Sequence, residues 1–96
     1  MIQSFGDAAT DALYHGRGGR SARSLPKPLW PIILRKLDKL NAATRLEDLM
    51  VPPGNRLEAL KGDRKGRLSI RVNRQYRITF RFAEGNAFDV RCEDDH

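Results

Sequence analysis

From Leu68 to Phe82, apolar and polar side chains alternate in two runs, which the short polar segment Asn73-Arg74-Gln75 separates. The apolar residues fall on even positions, namely Leu68, Ile70, Val72, Ile78, Phe80 and Phe82. The odd positions hold Arg67, Ser69, Arg71, Arg77, Thr79 and Arg81. Because successive side chains of a strand point to opposite faces of a sheet, this pattern predicts a β-hairpin with one apolar face and one outer, arginine-rich face.

The positive charge of the chain is concentrated in the same region. Residues 56–82 contain nine Lys and Arg side chains and two acids, a net charge of +7, whereas the whole chain of 96 residues carries +6. Residues 1–55 carry +3 and residues 83–96 carry −4. A basic surface that is localised in this way predicts an acidic partner, and nucleic acid is the commonest such partner.

The first half of the chain predicts two helices. Asp7 is placed to cap a first helix that ends near Gly16, and residues 17–24 combine glycine with arginine and predict a mobile loop. The main helix is predicted from Pro28 to about Asn41, since proline is tolerated in a first helical turn. Its buried face follows a spacing of three and four residues and comprises Trp30, Ile33, Leu34, Leu37 and Leu40.

The remaining extended segments complete a sheet. Residues 2–5 could form an edge strand, and extended structure resumes at residues 56–60. A last strand, from Ala87 to Cys92, keeps its apolar side chains on even positions, so Phe88 joins the core face and Asp89 joins the arginine face. We therefore predict an α+β fold, in which residues 1–96 form a single domain and a small antiparallel sheet packs against two N-terminal helices.

Composition excludes several other classes of protein. No apolar run approaches the roughly 20 residues that cross a bilayer, and the first residues lack the features of a signal peptide, so we expect a cytoplasmic protein without membrane contact. Cys92 is the only cysteine, which rules out an internal disulfide, and a buried, inert thiol is expected. No zinc spacing and no phosphate-binding glycine loop is present, so no metal or cofactor is predicted.

The residue types of the basic region suit phosphodiester chemistry without a metal. That chemistry needs cations beside the phosphate, for which Lys61 and Arg77 are candidates, and groups that accept and donate a proton, for which Glu58, Asp94 and His96 are candidates. RNA is the expected substrate because its 2′-hydroxyl can act as the nucleophile. Further basic side chains are candidates to bind RNA phosphates, namely Arg56, Arg64, Lys65, Arg71, Arg81 and Arg91. The same face would also suit binding without catalysis.

Several motifs carry a family resemblance. They are Leu46-Glu-Asp-Leu49, the block Val51-Pro-Pro-Gly-Asn-Arg-Leu-Glu-Ala-Leu-Lys-Gly-Asp-Arg64, Ser69-Ile-Arg-Val-Asn73 and Gln75-Tyr-Arg-Ile78. With these motifs the chain resembles the killer-protein toxins of the HigB and GraT group, which belong to the RelE/ParE superfamily of toxin–antitoxin modules. The likeness extends over nearly the whole chain.

The resemblance implies a RelE/ParE-like microbial RNase fold and cleavage of mRNA in the ribosomal A site. Lys61 and Arg77 match positions that stabilise the scissile phosphate in related toxins. Glu58 lies where some relatives have a histidine. Our hypothesis is that Glu58 or Asp94 accepts the proton of the 2′-hydroxyl and that His96 protonates the leaving 5′-oxygen. The resemblance also implies a HigA-type helix-turn-helix antitoxin as partner, and binding to operator DNA through the toxin–antitoxin complex.

Two alternatives remain open at this stage. Relatives tend to have a tyrosine before the terminal histidine, where this chain has Asp95. A non-enzymatic, ParE-like gyrase poison would not need that residue, and a catalytically weakened toxin could act mainly in antitoxin and operator complexes. The antitoxin could contact the two N-terminal helices, the glycine–arginine loop or the cationic sheet.

Overall fold

A four-stranded antiparallel sheet preceded by three helices makes up the part of the chain that the computed structural model describes, residues 1–17 and 19–94. The helices are α1 (Ala8–Tyr14), α2 (Gly19–Ala22) and α3 (Trp30–Ala42). The strands are β1 (Glu58–Ala59), β2 (Leu68–Arg71), β3 (Tyr76–Ala83) and β4 (Asn86–Asp94), and they lie in the order β1-β2-β3-β4. This architecture confirms the predicted α+β fold. Within these residues, no helix has the length and apolar character needed to cross a membrane.

The N-terminal segment lies along the free edge of β4. Ile2 and Phe5 form isolated parallel bridges with Ala87 and Val90. The amide of Gln3 donates to the carbonyl of Ala87 at 2.8 Å. The predicted edge strand is thus present only as two isolated bridges, which cover part of the outer edge of β4.

The two predicted helices form, with small shifts at their ends. Asp7 caps α1, since its carboxylate accepts a hydrogen bond of 2.7 Å from the amide of Thr10. The main helix α3 starts at Trp30 instead of Pro28, because residues 27–29 form a turn of 3-10 helix. The prediction of a loop at residues 17–24 is wrong in part, because α2 occupies four of these residues and buries Ala22. A single helical turn is too short to show a periodic pattern.

The core lies between α3 and the even-numbered face of the sheet. Ile33, Leu37 and Leu40 of α3 are fully buried, as are Ile70 and Phe80 of the facing strands. Each such side chain contributes roughly 2 kcal/mol relative to exposure to water. The odd-numbered side chains of β2 and β3, Ser69, Arg71, Arg77, Thr79 and Arg81, lie on the opposite face.

A β-bulge in β4 changes the parity that the sequence predicts. The pairing of β3 with β4 shifts between Thr79 and Arg81, and Asp89 has a φ of +54°. As a result Ala87 pairs with Phe82 on the core face, while Phe88 pairs with Arg81 on the other face. The prediction that Phe88 joins the core face is therefore wrong, because one extra residue in a strand reverses all side chains beyond it.

Candidate functional site

The polar face of the sheet is a packed layer and not the exposed surface that alternation predicts. Strand register aligns Ser69, Thr79 and Arg91 in one row. Ser69 and Thr79 are buried, and Arg67 and Arg77 are only 7% and 8% exposed. The arginines thus share a face as predicted, but the prediction that this face points outward is wrong for these two. Their guanidinium groups lie against the hydroxyl groups of the sheet, which satisfy part of their hydrogen-bonding capacity.

Arg77 is held in place by its neighbours on β2 and β1. Its Nε donates to Ser69 Oγ at 2.8 Å, and its Nη2 donates to the backbone carbonyl of Arg56 at 2.8 Å. Glu58 Oε2 lies 3.8 Å from the same Nη2, and the Glu58 side chain is 58% exposed. Arg56 has a left-handed backbone with a φ of +46°, which is uncommon outside glycine and is typical of functional loops. The guanidinium is therefore oriented before any ligand arrives.

Arg77 lines an open cleft of about 260 Å³, which we call the arginine cleft. The cleft is lined by Arg56, Arg71, Asn73, Arg74 and Arg77. Two hydrogen bonds from the amides of Gln75 and Tyr76 to Asn73 Oδ1, at 2.9 and 2.7 Å, shape the turn beside it. Four guanidinium groups around one cleft form a site for an anion with several oxygen atoms, such as a phosphate.

Lys61 lies on the loop between β1 and β2, three residues after Glu58. It is exposed and precedes a 3-10 turn, Gly62–Arg64. Arg64 anchors this loop to the sheet, because its Nη2 contacts Glu93 Oε2 and lies 3.4 Å from Thr79 Oγ1. The Thr79 hydroxyl also donates to Glu93. Arg64, predicted to bind phosphate, is thus engaged by a carboxylate within the protein, whereas Lys65 is exposed.

A second group of ion pairs lies farther along the same face. Arg67 Nη1 contacts Asp89 Oδ2 at 2.8 Å, and its Nη2 donates to Thr79 Oγ1 at 2.9 Å. Arg91 Nη2 lies 3.2 Å from the same Asp89 oxygen. We call these residues, with Arg64 and Glu93, the carboxylate network. Arg91, also predicted to bind phosphate, is therefore paired with Asp89. It packs against Gly6, where an added Cβ would overlap the Nε of Arg91.

The surroundings of the carboxylate network shift the pKa values of Glu93 and Arg67. Burial alone would raise the pKa of Glu93, but hydrogen bonds from Thr79 and Arg64 and the charges of Arg64 and Arg91 outweigh it and lower that pKa below its usual value. Burial lowers the pKa of Arg67, with Asp89 acting in the opposite direction. The Nε atoms of Arg67 and Arg91 are buried without a hydrogen-bond partner among residues 1–17 and 19–94.

Two other predicted site residues within the described ranges, Asp94 and Arg81, are not among the residues that line the arginine cleft. Asp94 pairs with Tyr76 in the register of β3 and β4, so it lies on the opposite face from the neighbouring pair Arg77 and Glu93. Its carboxylate accepts a hydrogen bond of 2.9 Å from Gln75 Nε2. Arg81 is exposed on the polar face, about 13 Å along β3 from Arg77. His96 and Asp95 lie outside the described residues.

Sequence reasoning missed several residues of this face. It assigned no functional role to Asn73, Arg74 or Glu93, and it placed Asp89 only on the arginine face. Ser69 and Thr79 carried a usable signal, because hydroxyl side chains on the arginine parity offer acceptors to guanidinium groups. Among the residues that the structure describes, no three His, Cys, Asp or Glu side chains form a group that could hold a metal ion.

Comparison with known proteins identifies the family. The HigB-like toxin family, described as "RelE-like toxin of type II toxin-antitoxin system HigB", matches residues 3–96. Toxin HigB-1 of Vibrio cholerae is 46% identical over 68 residues, which are 71% of this chain and 72% of that protein. Endoribonuclease HigB of Proteus vulgaris is 40% identical over 65 residues, 64% of this chain and 65% of that protein.

A solved structure supports the fold independently of sequence. A variant of YafQ from E. coli superposes with a TM-score of 0.63 at 14% identity and covers 99% of this chain and 92% of that one. Since the family match extends over nearly the whole chain, the chain belongs to the HigB-like family of RelE-like toxins from type II toxin–antitoxin systems.

Proposed function

We propose that this toxin is a ribosome-dependent endoribonuclease that cleaves mRNA in the A site by attack of a 2′-hydroxyl. The observation that carries the proposal is Arg77, which is buried, is oriented by Ser69 and Arg56, and lines a cleft with three other arginines, with Glu58 beside it. The name of the Proteus vulgaris relative, an endoribonuclease, supports the same activity.

In the proposed reaction, Arg77 and Lys61 stabilise the negative charge that develops on the scissile phosphate. Glu58 accepts the proton of the 2′-hydroxyl, and the resulting oxygen attacks the phosphorus while the bond from phosphorus to the 5′-oxygen breaks. His96 donates a proton to that leaving oxygen. The products are a cyclic 2′,3′-phosphate and a free 5′-hydroxyl, and the protons balance without a metal.

The geometry favours Glu58 over Asp94 as the proton acceptor. Glu58 lies 3.8 Å from the guanidinium of Arg77 and its side chain is open to solvent, so a substrate hydroxyl can reach it. Asp94 lies on the opposite face of the sheet by strand register. General base catalysis of this kind contributes about 10²- to 10⁴-fold to a rate.

The proposed partners follow from this role. The ribosome presents the mRNA, and a HigA-type helix-turn-helix antitoxin neutralises the toxin. The resulting complex binds operator DNA through the antitoxin. The proposed site of action is the cytoplasm.

Cleavage of mRNA on purified ribosomes tests the proposal directly. Ribosomes with an empty A site are incubated with the toxin, and primer extension locates the cuts. We expect cuts with wild-type protein, and rates lowered about 100-fold or more in Lys61→Ala and Glu58→Gln. Arg20→Ala, on α2 and exposed, serves as the control and should cleave at the wild-type rate.

Two results would overturn the proposal. Intact mRNA together with inhibited supercoiling by DNA gyrase would identify a gyrase poison. Intact mRNA with active gyrase, and with Lys61→Ala behaving like wild type, would identify a toxin that acts only in complex with its antitoxin and operator.

A further inference from the structure

A groove beside α3 has no role in the proposed reaction. It has a volume of about 610 Å³. It is lined by Ile32, Arg35, Lys36, Asp38, Lys39, Pro52 and Val72, and we call it the α3 groove. No residue is shared with the arginine cleft.

Apolar side chains form the floor of the α3 groove and extend onto the adjacent loop. Ile32 of α3 lines it together with Val72 and Pro52. The loop that carries Pro52 also exposes Met50 and Val51, which are 58% and 65% open to solvent. An apolar floor and an adjoining exposed apolar pair are typical of a surface that binds protein side chains and not phosphates.

Cations dominate the rim of the groove. Of its charged lining residues, three are basic and only Asp38 is acidic. Arg35 and Lys39 are four residues apart on α3, so they lie on one side of the helix and can contact the same partner. Burial, ahead of the charges of Lys39 and Arg35, lowers the pKa of Lys36, whose ammonium group donates to Asn55 Oδ1 within the protein. A ligand that brings carboxylates would be attracted to the exposed side chains of Arg35 and Lys39.

We propose that the α3 groove binds an acidic, amphipathic segment of the antitoxin, with apolar side chains on Ile32, Pro52 and Val72 and carboxylates on Arg35 and Lys39. The inference rests on the proposed neutralisation by an antitoxin and specifies where that protein docks. A helix laid into an apolar groove is a common mode of such recognition. Complementary charge adds specificity and a faster encounter.

The position of the groove lets an antitoxin segment bind without filling the arginine cleft. Val72 lines the groove, while its neighbours Arg71 and Asn73 line the cleft. The two sites therefore approach each other where β2 ends, and they share no residue. RNA and the antitoxin segment would therefore contact different side chains.

Calorimetric titration with the antitoxin encoded beside the toxin gene tests this assignment. We expect the double substitution Arg35→Glu with Lys39→Glu to weaken binding about tenfold or more, the equivalent of at least 1.4 kcal/mol. Affinity for the wild-type toxin should also fall more steeply with NaCl concentration than affinity for the double variant. Arg20→Glu, an exposed charge reversal on α2, should bind like wild type.

Ribosomal mRNA cleavage by the double variant provides the second readout. Both substituted residues are exposed, so the variant should fold and cleave mRNA at the wild-type rate. Wild-type affinity in the double variant would overturn the groove assignment alone. Lost cleavage with unchanged antitoxin binding would also overturn it, in favour of an RNA surface. Failure of the wild-type toxin to bind this antitoxin would overturn both the groove and the proposed neutralisation, while leaving the nuclease proposal intact.

Discussion

Two sets of arginines lie on this sheet and the loops beside it, and their surroundings differ. In the arginine cleft, Arg56, Arg71, Arg74 and Arg77 surround open space, and Glu58 approaches only to 3.8 Å. In the carboxylate network, Arg64, Arg67 and Arg91 contact the carboxylates of Glu93 and Asp89. The same side chain therefore serves as an open anion site in one region and as an internal partner in the other.

The difference shows what makes an arginine available to a ligand. A guanidinium that a carboxylate already neutralises has little electrostatic attraction left for a phosphate, and separating the pair exposes an unpaired charge. Arg77 instead uses neutral acceptors, the hydroxyl of Ser69 and the carbonyl of Arg56, which orient it without removing its charge. We infer that the arginine cleft binds the RNA phosphate during cleavage and that the carboxylate network stabilises the fold around it.

The largest expected effect is that of Arg77 on catalysis. Arg77→Ala should lower the rate of ribosomal mRNA cleavage about 100- to 1,000-fold, because a preoriented cation beside the developing charge is lost. Arg77→Lys should recover only part of the rate, since an ammonium group cannot reproduce the planar fork. Single-turnover rates at saturating ribosome concentration measure both effects.

A matched variant in the carboxylate network shows whether any arginine near this face is needed for cleavage or only Arg77. Arg64→Ala removes a guanidinium from the same face but should reduce cleavage far less than Arg77→Ala. Equal losses of activity in the two variants, with both proteins folded by circular dichroism, would show that the cleft has no special role.

The second largest expected effect is the loss of stability when Arg67 is replaced. Arg67→Ala should lower the free energy of unfolding by about 3 kcal/mol, because it leaves Asp89 without its shortest ion pair and opens space in a buried layer. Arg81→Ala, an exposed arginine of the same face, should change that free energy by less than about 0.5 kcal/mol. Urea unfolding measures both values. Equal losses of unfolding free energy in Arg67→Ala and Arg81→Ala would mean that the burial of Arg67 and its ion pair with Asp89 add no stability.

Much of the framework was predictable because it depends on local pattern. The alternation of apolar and polar residues predicted that Ile70, Ile78 and Phe80 lie in the core. The spacing of three and four residues predicted the buried face of α3. The capping role of Asp7 follows from its residue type and position before a helix. Each of these signals lies within a few residues of chain.

The environment of the arginines was not predictable in the same way. Alternation gives the face of a side chain but not its depth, so Arg67 and Arg81 look alike in sequence although one is buried. The contact between Arg67 and Asp89 depends on the bulge in β4. The contact between Arg64 and Glu93 joins two residues that are 29 positions apart in the sequence. Such partners are set by the register of distant strands, which no local pattern encodes.

The smallest expected effect is a pH dependence of stability that arises from Glu93. Its pKa in the folded protein is below the usual value of about 4.3 for an unfolded chain, so the ionised side chain stabilises the fold above that pH. Glu93→Gln should lower the free energy of unfolding by about 1 kcal/mol at neutral pH. As pH falls from the unfolded value through the folded pKa, wild-type Glu93 becomes protonated and the difference between the two proteins should shrink. Asp48, whose pKa is lowered by backbone hydrogen bonds from Thr44 and Arg45, titrates in both proteins and cancels in the comparison.

Arg64→Ala provides the control for this pH effect, because it removes the principal charged partner of Glu93. In that background the substitution Glu93→Gln should have a smaller effect at neutral pH and a weaker dependence on pH, as expected for two residues that act as a pair. A difference between wild type and Glu93→Gln that stays constant from neutral pH into the acid range would argue against ionic anchoring of the Lys61 loop. The loop would then be held by the hydrogen bond of Thr79 and by packing, and the charge of the network would matter only for excluding phosphate from this half of the face.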